Sequence, residues 1–405
     1  MVLNIALGLL ALLSLVLTLW QWLVARRFPL HQRSPEHSFP PAVTLLKPLK
    51  GCDQATEDCL RSWFAQDYTG RVQILFGVAS AEDPICSIAR KLMVEFPASD
   101  AQLIVCGPLL GANAKVSKLV ELERLAKHEV LVISDADVRV PPDCLANIVA
   151  PLREPEPAGP SDTRHPTPDT RHLSRGLVTC FYRLANITTL AMHWEGVAIN
   201  ADFWSQVLQA QSLKPIDFAL GAVMAMRRGE LQEIGGFTGI VDCLADDYQL
   251  GNRIARCGHR IIISPVVVEC WSAPMGWKAV WKHQLRWART IRVCQPVPYF
   301  FSILSNATLW PLVWAAATPS VLSFAVAIGC LVTRIATALH LQLKLFRQST
   351  TNDQPSVSIA PWWLVPVKDL LQVAVWLLAF MGNRIEWRGE QMQLRRDGTL
   401  MKLNK

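Results

Sequence analysis

VLVISDADVRVPPD, residues 130 to 143, runs from a short apolar segment straight into carboxylates: Asp135 and Asp137 are separated by one alanine, and Asp143 follows. A brief, continuous apolar run that stops at a polar turn reads as a strand buried on both faces. Residues just past such a strand stand at the carboxyl end of the sheet, where open α/β sheets bind their ligands. Two readings of the pair are open at this point. It is a polar loop, or it is a set of hard oxygen donors suited to Mg²⁺ or Mn²⁺.

The flanking sequence repeats the same strand pattern. VTLLKPL (43 to 49), VQILFGV (72 to 78), AQLIVCG (101 to 107) and EVLVISDAD (129 to 137) read as strands, and 53–66, 85–96 and 115–127 read as helices between them. A βαβα succession predicts an α/β fold with a mainly parallel sheet covered on both faces. Asp83, Lys115, Asp135 and Asp137 all fall at or just beyond strand ends.

A purely soluble chain is excluded by composition. Only 18% of the 405 residues are charged and the mean hydropathy is +0.23, so membrane segments are expected. The net charge of +7 is modest and its basic residues flank apolar runs, which favours a membrane surface over nucleic acid as partner. The 11 cysteines show no paired metal-ligand spacing, which predicts reduced thiols on the cytosolic side and no zinc site. Residues 2 to 24 carry no charge and as a helix would reach about 33 Å, enough to cross the hydrocarbon core. Arg26 and Arg27 follow this run, so 1–25 is read as an uncleaved anchor with the next domain left in the cytoplasm. Residues 295 to 333 lack charge and predict a membrane hairpin within 298–342, turning near Pro319. The block 359–381 holds Lys368 and Asp369 near its centre and precedes the basic tail 382–405, so an interfacial or re-entrant segment is expected.

Three further stretches carry candidate chemistry or none. Segment 151–176 is rich in Pro and charge, repeats DTRH, and reads as a mobile surface insertion. GGFTGIVDCLADDYQLG (235 to 251) puts Asp246 and Asp247 at the start of a helix, where acids also simply complement the dipole. HQLRW (283 to 287) sets Arg286 and Trp287 just before the hairpin, where a basic-aromatic belt would also stand. Residues 189 to 210 are apolar and aromatic without clean periodicity, fitting either core packing or an acceptor-side surface.

In this order KPLKG (47 to 51), EDP (82 to 84), SDADVRV (134 to 140), GG-F (235 to 237), ADDY (245 to 248) and HQLRW (283 to 287) resemble the family 2-like GT-A glycosyltransferases. The resemblance is greatest to the ceramide glucosyltransferase branch, family 21, with its bacterial relatives that include hopanoid-biosynthesis enzymes. It covers about residues 40 to 295 and implies a GT-A domain over 40–294. It implies further that Asp83 lies against the uridine, that Asp135 and Asp137 hold a divalent cation, and that Asp247 is the catalytic base. Arg286 and Trp287 match the end of (Q/R)xxRW and are expected near the diphosphate and the acceptor, with Lys115 also facing the phosphates. At the first position of that motif this chain has His283 in place of Gln or Arg.

The implied reaction is inverting transfer of one sugar, glucose or N-acetylglucosamine, from a UDP-sugar to a membrane lipid of ceramide or hopanoid type. The expected location is a bacterial inner membrane with the catalytic domain in the cytoplasm. A processive polysaccharide synthase is the rival within the class, and it would need more spans than the sequence offers. A catalytically inactive nucleotide- or lipid-binding protein is the rival outside it.

Overall fold

The computed structural model describes residues 1–33, 40–152, 174–347, 359–387 and 390–403. The expected insertion at 151–176, with its DTRH repeat, falls almost wholly outside them. After helix α1 (Val2–Arg27) come β1 (Val43–Pro48), α2 (Thr56–Phe64), β2 (Val72–Val78), α3 (Ile85–Glu95), β3 (Asp100–Val105), α4 (Ala114–Leu125) and β4 (Val130–Ser134). These four strands are parallel, and β1 lies between β2 and β4. The alternation of β4 explains why apolar runs were needed: Leu131 and Ile133 enter one core and Val130 and Val132 the other, so helices cover both faces.

The sheet then changes direction. A two-residue β5 (Val138–Arg139) and α5 (Cys144–Val149) lead on to β6 (Arg175–Leu184), α6 (Leu190–Val197), α7 (Trp204–Leu213), β7 (Val223–Arg227), α8 (Arg228–Glu233), α9 (Asp246–Arg256) and β8 (Arg260–Cys270). The eight strands are ordered β3-β2-β1-β4-β7-β6-β8-β5, with β7 antiparallel to β4 and to β6. The mixed, mainly parallel sheet agrees with the α/β expectation. Between α6 and α7 one π-helical turn, Ala198–Phe203, inserts. Such turns redirect the side chains around them and gather at functional sites.

Long α10 (Trp277–Cys294) leaves this domain for the apolar helices α11 (Pro296–Phe301), α12 (Leu309–Ala317), α13 (Val321–Phe346) and α14 (Leu364–Phe380). Among the described residues α1 and α13 are long and apolar enough to cross a membrane, and a bent pair, Pro296–Ser305 with Leu309–Ala317 at 55°, makes a third if counted as one span. The chain turns between α12 and α13 around Pro319. Helix α14 has 17 residues, about 25 Å of rise, less than the roughly 30 Å of a hydrocarbon core.

Its two charges are buried in a network drawn from four parts of the chain. Arg334 on α13 donates to Asp369 Oδ2 at 2.9 Å and Oδ1 at 2.8 Å and to Asp202 Oδ2 at 2.9 Å. Lys368 also pairs with Asp202, and Thr308 Oγ1 donates to Asp369 Oδ2 at 2.7 Å. Two acids and two bases balance, which is how ionisable groups persist in an apolar setting. Asp202 belongs to the π turn, so this network ties the apolar helices to the sheet domain. Helix α1 is fastened to the same region through Gln21 Nε2, which donates to Ser205 Oγ at 2.9 Å.

Residues that read only as a basic tail form a second sheet of β9 (Arg384–Trp387), β10 (Glu390–Leu394) and β11 (Leu400–Lys402). It packs on the loop before α9. Leu400 N donates to Asp242 O at 2.7 Å and Leu244 N to Gly398 O at 3.2 Å, while Leu244 buries itself among Ile385, Met392, Leu394 and Leu400.

Candidate active site

The two aspartates of the opening motif are fixed by their backbone. Asp135 N donates to Ala222 O at 3.2 Å and Trp271 N donates to Asp137 O at 2.9 Å, so the turn is stitched to the start of β7 and the end of β8. Ala222 holds φ at 71°, a left-handed conformation that costs a non-glycine residue about 1–3 kcal/mol and that proteins retain mostly where geometry matters. Beneath the turn, fully buried Lys47 donates to Ser134 Oγ at 3.1 Å and to Asp135 O at 2.7 Å. Burial lowers Lys47 to about 8, against the pull of Cys59 and of the carboxylates of Asp135 and Asp137.

Lys115 connects this motif to the other acidic pair. Its Nζ lies 2.7 Å from Asp135 Oδ1 and 2.8 Å from Asp246 Oδ2. Burial alone would depress this lysine, but the two carboxylates outweigh it and hold it charged above its ordinary range. Lys115 reaches this position because Asn113 caps α4, accepting from Lys115 N at 2.9 Å and Val116 N at 3.2 Å. The expectation that Lys115 faces the phosphates is therefore modified: its charge is already shared between two acids. Asp246, read from sequence as a helix-end acid, is in fact a buried ion-pair partner.

Asp247 has other neighbours than Asp246. Its Oδ1 accepts from Tyr248 N at 2.8 Å, and its other oxygen passes so near Gly221 that a Cβ there would sit 2.9 Å from it. Burial first and the neighbouring Asp246 second raise Asp247 to about 6, with Lys115 opposing. Asp137 is raised to about 6 as well, by burial and then by Asp135, with Lys47 and Lys115 opposing. The residue as a whole is nevertheless exposed.

Among the described residues no group of three or more His, Cys, Asp or Glu side chains could hold a metal by itself. The donor set that is present still fits a divalent cation whose other ligands come from water and a diphosphate. Asp137, an exposed residue of the turn, offers a carboxylate crowded by like charge, and Asp135 stands beside it. Asp83 is placed differently from a free ligand. Its carboxylate accepts from Gly51 N at 3.0 and 3.1 Å and from Ile85 N at 3.1 Å, which closes the KPLKG loop onto the start of α3.

The model of glycosyl transferase family 21 matches residues 6–160 and 169–400. The chain belongs to this family. Ceramide glucosyltransferase 3 of Caenorhabditis elegans is 23% identical over 242 residues, 59% of this chain and 48% of that protein. Ceramide glucosyltransferase of Candida albicans is 32% identical over 136 residues, 30% of this chain and 25% of that protein. The chain thus spans about half the length, or less, of the relatives it matches. A mannosyltransferase from Pyrobaculum calidifontis, solved with GDP-Man and Mn²⁺, has the same GT-A fold: TM-score 0.51 and 20% identity, covering 93% of this chain and 97% of that one.

Helix α10 carries Arg286 and Trp287, both half-buried. The Trp287 ring meets His283 at 5.0 Å, Phe203 of the π turn at 6.0 Å and Tyr182 of β6 at 6.4 Å. Tyr182 was not singled out from sequence. Burial raises its hydroxyl well above the usual range, and Cys270 and the carboxylates of Asp247, Glu195 and Asp135 add to the effect, so it stands among the site's acids. Lys47 and Glu195 were missed too. The available signals were a lysine inside an otherwise apolar strand and a glutamate inside the aromatic run HWEGV.

Proposed function

We propose that this family 21 chain transfers a single sugar from a UDP-sugar, with inversion, to the hydroxyl of a membrane lipid. One observation carries the reading: Lys115 joins the strand-end carboxylate Asp135 to the Asp246-Asp247 pair, while the helix bearing Arg286 and Trp287 leads directly into the apolar helices. Asp247 takes the proton of the acceptor hydroxyl as its oxygen attacks the anomeric carbon and the bond to the diphosphate breaks. A carboxylate raised to about 6 is ionised near neutrality and is a stronger base than an ordinary aspartate. Arg286 stands by the departing diphosphate, where negative charge grows. A divalent cation held by Asp137 and Asp135 would supply further positive charge at that leaving group. The sugar is glucose or N-acetylglucosamine, and the lipid is of ceramide or hopanoid type. Support for the first member of each pair comes from the ceramide glucosyltransferase relatives.

The test is release of UDP by detergent-solubilised protein, with and without lipid acceptors, the products being identified by mass. Release that never depends on lipid, or no transfer to any lipid, would sink the proposal. Chelation is expected to abolish transfer and Mn²⁺ or Mg²⁺ to restore it, since two carboxylates alone leave the diphosphate charge uncompensated. Undiminished transfer in excess chelator would remove the cation from the scheme.

Residues 28 to 294 are proposed to face the cytoplasm of a bacterial cell from its inner membrane. Cys52 and Cys257 are exposed and serve as reporters, whereas Cys59 is buried. An impermeant thiol reagent should label Cys52 and Cys257 in inverted or opened vesicles only. Labelling of either in intact cells reverses the orientation.

A further inference from the structure

Tyr248 follows Asp247 on α9 and ties it to the end of α10. Its backbone N–H donates to Asp247 Oδ1 at 2.8 Å, while its hydroxyl donates to Cys294 O at 3.0 Å and accepts from Gln295 Nε2 at 3.0 Å. One residue thus holds the carboxylate with its backbone and the neighbouring helix with its ring oxygen. The ring itself is steadied by stacking on Phe218, with centroids 6.1 Å apart and planes 19° from parallel. Burial raises the hydroxyl above its ordinary range, so it keeps the proton it donates. The place where it donates is a junction. Gln295 leaves the helical conformation, with φ −136° and ψ 69°, because Pro296 comes next and disfavours a helical residue before it. The last carbonyls of a helix lack partners within it, and Tyr248 supplies one to α10. Beyond this break the chain passes into the apolar helices α11 to α14. A second contact spans the same gap: Val293 packs on the cluster that contains Leu244, in the loop before Asp247.

Resting on the lipid-transfer reading above, we infer that Tyr248 is a positioning residue whose hydroxyl keeps Asp247 in register with the helix that leads into the membrane. A lipid hydroxyl arrives from the side of the apolar helices, whereas the base and the nucleotide belong to the sheet domain. The two sets of atoms meet in reacting geometry only if α10 and the start of α9 are fixed to each other. Misplacement on the scale of 1 Å costs up to about 10²-fold in rate. Water is the contrasting acceptor. It can attack the anomeric carbon in the lipid's place, giving its proton to Asp247 as the bond to UDP breaks, and nothing on α10 has to deliver it. Loosening the joint should therefore slow transfer to lipid and spare hydrolysis of the donor.

Tyr248→Phe tests this, because it keeps the ring, the Phe218 stack and the backbone N–H while removing both hydroxyl bonds. The full chain in detergent is given UDP-glucose and UDP-N-acetylglucosamine as donors and a ceramide and a hopanoid alcohol as acceptors, and UDP release is also followed with no lipid present. With the Val293 contact intact, kcat for transfer should fall on the order of 10-fold. The KM for the donor, UDP affinity by calorimetry and lipid-free UDP release should all match wild type. Gln295→Leu alone should lose less, since the hydroxyl still reaches Cys294 O, and in the Tyr248→Phe background it should lose nothing further. Unchanged transfer, a proportional fall in transfer and lipid-free release, weaker UDP binding, or additive losses in the double variant would each overturn the inference. Those results leave the transfer reading standing, whereas wild-type protein that glycosylates neither lipid overturns that reading and the inference with it.

Discussion

Asp247→Asn is expected to lower turnover by about 10²-fold or more, the usual contribution of a positioned general base. The amide retains the shape that Gly221 admits and can still accept from Tyr248 N, but it cannot take up the proton of the attacking hydroxyl. UDP binding should persist, because Asp83, Arg286 and the Asp135-Asp137 pair are untouched. The pH dependence follows from the same carboxyl. Asp247 is held at about 6, and only its ionised form is a base, so the rate should be level above neutrality and fall as pH drops through about 6. Asp137 titrates in the same window, which would blur the result. Added Mn²⁺ competes with the proton at Asp137 and should shift that limb downward, while the Asp247 limb should stay in place. An Asp247→Asn protein with near-normal turnover would move the base elsewhere. Asp246→Asn is expected to act differently, by releasing the charge of buried Lys115 towards Asp135, so its effect should show in cation affinity as well as in rate.

The second large effect is on stability. Asp202→Ala removes one acid from a buried set of two acids and two bases, leaving Arg334 and Lys368 to share Asp369 alone. An uncompensated buried charge costs about 3–5 kcal/mol, far more than the modest net worth of the intact network. Unfolding in detergent should therefore begin at a clearly lower denaturant concentration. The double variant Asp202→Ala with Lys368→Met restores charge balance and should regain much of the loss. If the single variant unfolds like wild type, water or lipid headgroups compensate Arg334 and Lys368 and the network is no clamp.

How much of this was legible before the fold is best seen at individual residues. Strand VQILFGV ends where the pattern ended it, because its burial is continuous. The helix read at 53–66 begins at Thr56 because Asp53 turns the chain first, its side chain accepting from Ala55 N at 3.0 Å. That is local chemistry that a periodicity argument passes over. Asp135, Asp137 and Asp247 were visible as carboxylates at element ends, and the structure brings their surroundings together through Lys115. The role of Asp246 was not visible, since its partner Lys115 is far along the chain. Likewise Lys368 and Asp369 looked misplaced in an apolar block because their partners Asp202 and Arg334 stand in other segments. The tail's strands are short, and their few apolar side chains are buried against Leu244, Ala112 and Val293, which lie far along the chain.

That contact also constrains the order in which the molecule can be assembled. The loop leading to Asp247 is held from behind by residues 398 to 400, which leave the ribosome only after α11 to α14. A nascent chain can therefore build its parallel strands early and hold this loop from one side through Asn113, yet the support from behind comes only after the apolar helices have found the bilayer and the last hairpin has folded back. The loop before Asp247 thus receives its last clamp only when the membrane part of the chain is already in place.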